Sequence, residues 1–166
     1  DADTLGKVPI SKNETQLEDR LVPATLTAGG YSFLAMGNHQ YLAPGNERVE
    51  TYQGESFNVQ STSWEWISLV NNSDGTVSLY ATNNGKKYIS VQDGQNANYY
   101  LHASSAAIGI NEKFRLYQLE GADNLYVLQS EATGQYVTLG GTLGTNVAYA
   151  NSSKVTGTDT TSPEVF

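Results

Sequence analysis

The sequence predicts an all-β fold built from three copies of a four-stranded unit, and three observations predict it. Short runs of alternating apolar and polar residues follow one another from residue 30 onward. Turn-forming clusters separate them. A tyrosine landmark recurs at Tyr41, Tyr88 and Tyr136, at intervals of 47 and 48 residues. Period-two alternation rich in aromatic and β-branched residues is the mark of a half-buried strand. The runs at 31–35, 76–81, 88–91 and 126–129 carry it. The turn signals are Asn72-Ser73-Asp74-Gly75, Asn83-Asn84-Gly85, Asp93-Gly94 and Thr133-Gly134, each with a glycine able to take a positive φ.

The landmarks recur as a set. In each copy a strand precedes a turn, and the Tyr opens the next strand. A glutamate then stands two residues before a large apolar residue: Glu65 before Ile67, Glu112 before Phe114, Glu164 before Phe166. The third strand of each unit is read as Phe57-Asn58-Val59, Leu101-His102-Ala103 and Ala148-Tyr149-Ala150. One such unit cannot bury its apolar face alone, so three must close on each other. Closure of twelve strands about a pseudo-threefold axis gives a β-trefoil, six strands forming a barrel and six capping it, which also removes open sheet edges. The expected inward set is Leu42, Ile89 and Val137, then Phe57 and Val59, Leu101 and Ala103, Ala148 and Ala150, with Ile67, Phe114 and Phe166 plugging the barrel.

Domain boundaries follow. Residues 1–29 are polar with poor apolar periodicity and read as an N-terminal arm or linker from another domain. Residues 30–166 read as the trefoil, with repeats at about 30–74, 75–122 and 123–166. The twelfth strand would start at Glu164, and the sequence stops inside it, at Phe166. Three readings stand for it: a very short strand, a chain cut at that point, or pairing supplied by 21–26.

Composition narrows the partners. The 166 residues carry a net charge of −8, which opposes nucleic-acid phosphates and anionic membranes. There is no cysteine, so neither a disulfide nor a thiolate metal site can form. Few charges and many Gly, Asn, Ser, Thr and Tyr suit an extracellular β-protein, and a secreted location is expected.

The stretch KYISVQDG at 87–94, followed by AIGINEKFRLYQLEG at 107–121, resembles the fascin-like class of β-trefoil. The resemblance covers about 30–166 and is best at 76–121; the first repeat departs from it, since Trp64 and Trp66 flank its glutamate. The Gln-x-Trp triplet of ricin-like trefoils is missing. Fascin-like trefoils occur in actin-bundling proteins and as carbohydrate-binding modules appended to bacterial glycoside hydrolases. Some of the latter bind β-glucans, with up to one shallow site per repeat. The resemblance thus implies a monomeric module tethered to a catalytic domain.

Catalytic patterns are missing. His39 and His102 stand in no metal-ligand or nucleophile spacing, no Gly-x-Ser-x-Gly elbow occurs, and 93–96 lacks the later ligands of a calcium loop. Glu65, Glu112 and Glu164 share their chemistry with a glycosidase pair but not its geometry. Threefold-related residues are spread around an axis, whereas a catalytic pair stands about 5–10 Å apart. Their expected role is to accept backbone N–H bonds at strand starts. No enzyme activity, cofactor or metal is predicted.

Sugar rings offer C–H faces that stack on aromatic rings and hydroxyls that pair with amides and carboxylates, so exposed Trp and Tyr beside Asn, Asp or Gln are the candidates. If Ile67 points inward, alternation turns Trp66 outward, with Trp64 in the loop before it; packing of either Trp against the arm is the competing reading. By the same rule Tyr100, His102 and Tyr149 face outward, near the polar loop holding Asp93 and Asn98. The expected function is a non-catalytic polysaccharide- or oligosaccharide-binding module, β-glucan being the glycan that the resemblance implies, which targets an attached glycoside hydrolase to its substrate. The alternative is a protein-interaction trefoil of the filament-crosslinking or protease-inhibitor kind, the latter through the loop at 44–54 with Arg48 as its anchor.

Overall fold

A computed structural model describes residues 17–45, 48–92, 98–141 and 144–166. It contains β1 (Leu21–Pro23), β2 (Gly29–Tyr31), β3 (Leu34–Ala35), β4 (Gln40–Pro44), β5 (Val49–Gly54), β6 (Ile67–Asn71), β7 (Val77–Ala81), β8 (Lys87–Val91), β9 (Leu101–Ser105), β10 (Phe114–Leu119), β11 (Tyr126–Ser130), β12 (Tyr136–Gly141) and β13 (Gly144–Ser152). Two single-turn 3₁₀ helices, Leu17–Arg20 and Ile110–Glu112, are the helical elements among the described residues. All pairings are antiparallel.

The fold is a β-trefoil. Three hairpins, β4–β5, β8–β9 and β12–β13, carry the tyrosine landmarks at or beside their first residues. Their registers correspond: Leu42 faces Thr51, Ile89 faces Ala103 and Val137 faces Ala150. Each hairpin has a register shift directly after its Tyr or Gln start, where a bulge bends the ribbon over the barrel. The barrel strands β6–β7 and β10–β11 join successive repeats.

The core forms where the sequence places it. Leu42, Ile89 and Val137 are buried in one cluster with Ile67, Phe114, Phe166, Leu101, Ala148 and Ala150. Ala103 packs against them, partly buried. The three glutamates are buried as well. Glu112 accepts the Gly109 N–H at 2.7 Å and the Ser90 hydroxyl at 2.6 Å. Glu164 accepts the Thr156 N–H at 2.8 Å, the Thr156 hydroxyl at 2.9 Å and the Thr138 hydroxyl. Ser90 and Thr138 hold equivalent hairpin positions, so two repeats use one device to tie the loop before the last strand to the cap.

One strand differs from expectation. The third strand of the first repeat is β5, not Phe57-Asn58-Val59. Val49 and Thr51 are its buried residues, and the chain turns after Gly54, where the Phe57 N–H bonds the Gly54 carbonyl at 2.9 Å. Phe57 and Val59 lie partly exposed outside any strand. The polar sequence Val49-Glu50-Thr51-Tyr52-Gln53-Gly54 hid the alternation that the register reveals.

The segment before residue 30 is part of the fold from Leu17 onward. Leu17 is buried with Leu119, Val127, Val155 and Val165. β1 pairs β10, Leu21 opposite Leu119, and β2 pairs β6. Strand 21–23 therefore completes the second repeat rather than the third. Arg20 clamps this segment: its guanidinium bonds both carboxylate oxygens of Asp159, at 2.6 and 3.2 Å, and the Glu120 carbonyl at 2.9 Å.

Candidate functional site

β5 lies at the rim of the first cap hairpin, and its alternation sorts its side chains. Val49 and Thr51 turn inward, leaving Glu50 and Tyr52 on the other face, two residues apart. Tyr52 is 63% exposed. Across the sheet, Val147 of β13 pairs with Glu50, and this brings Asn146 beside Thr51. The Asn146 amide bonds the Thr51 carbonyl at 3.4 Å, and the Thr51 hydroxyl reaches the Asn146 carbonyl at 3.5 Å.

Trp64 closes the other side, 54% exposed. Its loop is a pinned turn: the Ser63 N–H bonds the Gln60 carbonyl at 2.9 Å and the Trp66 N–H bonds the Ser63 carbonyl at 3.1 Å. The Asn83 side-chain amide then bonds the Ser61 and Ser63 carbonyls at 2.7 and 2.8 Å. A repeat-two side chain thus fixes the loop that displays the repeat-one Trp.

Together Trp64, Tyr52, Glu50, Thr51, Asn146, Ala43 and Gly45 line an open cleft of about 280 Å³. Two aromatic faces, one carboxylate and one amide suit a pyranose, whose C–H face stacks while its hydroxyls bond the polar rim. Glu50 is partly compensated by Arg48, whose Nη1 is 4.0 Å away. Arg48 thus faces its own hairpin, within β4–β5, rather than projecting from the free loop expected at 44–54.

The remaining predicted residues are dispersed. Trp66 does not face solvent freely: its indole lies over Gly30 of β2, so close that a Cβ on Gly30 would sit 2.0 Å from the ring. The N-terminal segment covers the face that alternation alone leaves open. Tyr149 is a correction: it is fully buried, not outward. Repeat two lies over its strand, where Tyr100 bridges to Tyr149 and the Ala150 N–H bonds the Tyr99 carbonyl at 2.8 Å. Asn98 sits partly buried in the same turn, its carbonyl accepting the Asn151 amide at 3.2 Å. Asn98 and Tyr99 both hold positive φ, 51° and 61°. Tyr100 and His102 are partly buried with ring centroids 6.1 Å apart. Asp93 lies outside the described residues. A smaller cleft of about 170 Å³, lined by Val91, Tyr99, Asn111, Ala132 and Thr133, adjoins this turn.

The sequence reading missed Glu50, Tyr52 and Asn146. Their signal was the alternation within 49–54, which places Glu50 and Tyr52 on one face. Asn146 has no local signal, because it enters from 95 residues away. Among the described residues no cluster of three His, Cys, Asp or Glu could hold a metal ion, and no helix is long and apolar enough to cross a membrane.

No family model matches the chain, and no curated protein matches it. Solved structures do. A designed 3-fold symmetric protein, ThreeFoil, superposes with a TM-score of 0.61 at 19% identity, covering 82% of this chain and 97% of its own. A mosquitocidal holotoxin superposes with a TM-score of 0.64 at 11% identity, covering 85% of this chain and 17% of its own. The chain therefore spans under a fifth of that toxin's length. At these identities the likeness is one of fold, and it matches the chain to a threefold β-trefoil.

Proposed function

We propose that the chain is a non-catalytic module that binds a neutral polysaccharide in the cleft between Trp64 and Tyr52. One observation carries the reading. The two most exposed aromatic side chains among the described residues share a single cleft, beside a carboxylate and an amide. Trp64 stacks one sugar face, Tyr52 guides a neighbouring residue of the glycan, and Glu50 and Asn146 bond hydroxyls. Glu50 and the net charge of −8 disfavour uronic acids and sulfated chains. The fascin-like resemblance makes β-glucan the first glycan to try. The same resemblance supports an extracellular module that holds an attached glycoside hydrolase on its substrate.

The test is affinity electrophoresis on soluble polysaccharides with wild type, Trp64→Ala, Tyr52→Ala and Trp66→Ala. Retardation by a neutral glucan, lost in the first two variants and kept in folded Trp66→Ala, is the expected pattern. Retardation that survives in both Trp64→Ala and Tyr52→Ala would move the site to the Tyr99 cleft. No retardation by any glycan would remove this reading and leave the protein-interaction one.

A further inference from the structure

The turn between β7 and β8 differs from its two counterparts. Ala35 pairs Gln40 and Ala81 pairs Lys87, which leaves 36–39 and 82–86 as turns. In the third repeat the Ser130 N–H bonds the Gln135 carbonyl at 2.9 Å and encloses 131–134. The second-repeat turn is therefore one residue longer. It is held at both ends. The Thr82 and Ser68 hydroxyls stand 2.5 Å apart, and the Tyr80 hydroxyl bonds the Lys86 carbonyl at 3.0 Å. Gly85 and Lys86 close it with positive φ, 78° and 52°.

Its middle residues reach into the first repeat. Asn83 bonds the Ser61 and Ser63 carbonyls of the Trp64 loop. The next residue, Asn84, gives its side-chain amide to the Pro44 carbonyl at the end of β4. Pro44 stands between Ala43 and Gly45, and both of these line the cleft. Adjacent amides of one turn thus hold two parts of the same cleft, its Trp64 side and its β4 end.

A symmetry-related junction shows the same place without the tie. Counting back from the landmarks Tyr88 and Tyr136, Ala132 stands in the third repeat where Asn84 stands in the second. Val91 is the second-repeat equivalent of Pro44, since Leu42 and Ile89 correspond. Ala132 has no side-chain donor. There the structure has an open cleft of about 170 Å³ lined by Val91, Ala132 and Thr133, with Asn111 and Tyr99. Where the amide is missing, turn and hairpin stand apart.

We infer that Asn84 is a positioning residue of the proposed glycan cleft, fixing its β4 end to the turn that also braces Trp64. The inference rests on that cleft being the sugar site. A carbonyl only accepts, so the tie needs a donor, and a side chain of the same shape without an N–H cannot make it. A β4 end left untied must be ordered again when the sugar binds, which costs affinity.

The test compares wild type with Asn84→Ala and Asn84→Asp by glucan titration and by amide exchange of Gly45, whose N–H bonds the Arg48 carbonyl at 2.8 Å. At pH 7 both variants are expected to bind glucan about fivefold more weakly, the loss of one hydrogen bond. Gly45 exchange speeds up in both, while the amides of β10 and β11 keep their protection. Below about pH 4 the new carboxyl of Asn84→Asp is protonated and regains an O–H donor for Pro44. Its affinity relative to wild type at the same pH is therefore expected to recover, and that of Asn84→Ala is not. Taking the ratio at each pH cancels any change at Glu50, the carboxylate of the cleft itself. Wild-type Gly45 exchange and full affinity in Asn84→Asp at pH 7 would overturn the tie and leave Asn84 as a filler of space. Faster Gly45 exchange with unchanged glucan affinity would overturn the positioning role. No glucan binding by wild type would remove the sugar reading, and Gly45 exchange would then carry or overturn the tie by itself.

Discussion

The sharpest test of the three-repeat reading is the hydroxyl that Ser90 gives to Glu112. Ser90→Ala removes a 2.6 Å bond to a carboxylate that is almost wholly enclosed, and leaves it the Gly109 N–H. A hydrogen bond to a charged group contributes about 1.5–3 kcal/mol, so the loss costs about 2 kcal/mol. For a chain of this size each kcal/mol moves Tm by about 2–4 °C, giving a drop of about 4–8 °C. Thr138→Ala at the equivalent place costs less, because Glu164 keeps both the N–H and the hydroxyl of Thr156. Differential scanning calorimetry of the two variants reads both the size and the order. Tm shifts below about 1 °C, or a larger shift for Thr138→Ala, would refute the view that Glu112 and Glu164 are the hubs of their repeats. The same series bears on catalysis: Glu112→Gln that kept its Tm but abolished a measurable glycan turnover would make the glutamate a reactive group.

Further expectations follow from neighbouring contacts. Gly30→Ala drives a methyl into the Trp66 ring, so it destabilises by about 1–3 kcal/mol and red-shifts tryptophan emission as Trp66 is displaced. Asn83→Ala frees the Ser61 and Ser63 carbonyls and loosens the Trp64 turn; glucan affinity, measured by titration calorimetry, falls severalfold while Trp64 itself is untouched. His39 is held above the ordinary histidine pKa by its bond to Glu55 and then by the Thr160 carbonyl. Its contribution is therefore complete below the unfolded value and fades as pH rises through the folded one, and an NMR titration of the ring places the midpoint above about 6.5 and lower in Glu55→Gln.

How far the sequence reaches can be judged residue by residue. The landmarks Tyr41, Tyr88 and Tyr136 and the three glutamates were legible because each set recurs at corresponding positions in three repeats. Repetition makes a weak signal strong, and the burial of Glu65, Glu112 and Glu164 follows from it. The third strand of the first repeat was misplaced because Phe57 and Val59 are more apolar than the true strand, whose inward positions are Val49 and Thr51. Here register outweighs hydrophobicity, since a cap hairpin buries only alternate residues and tolerates polar ones between them.

The functional residues resisted for a different reason. Alternation tells which side chains share a face, and it cannot tell what covers that face. It put Tyr149 and Trp66 outward, and both faces are covered by chain from elsewhere, the 98–100 turn over one and Gly30 over the other. Trp64 stayed exposed because its loop is braced from below by Asn83 rather than roofed. Its partners Tyr52 and Asn146 reach it only through the β5–β13 pairing that closes the third repeat on the first. Six of the residues lining the cleft belong to the first repeat and Asn146 comes from the third, so the first repeat alone does not show the whole site. The two other repeat junctions differ in this respect. Position Glu50 of the hairpin corresponds to His102 and Tyr149, which are partly and fully covered. The same symmetry that built three equivalent frames has thus left one of them open with two aromatic walls, and that junction is where the proposed glycan site lies.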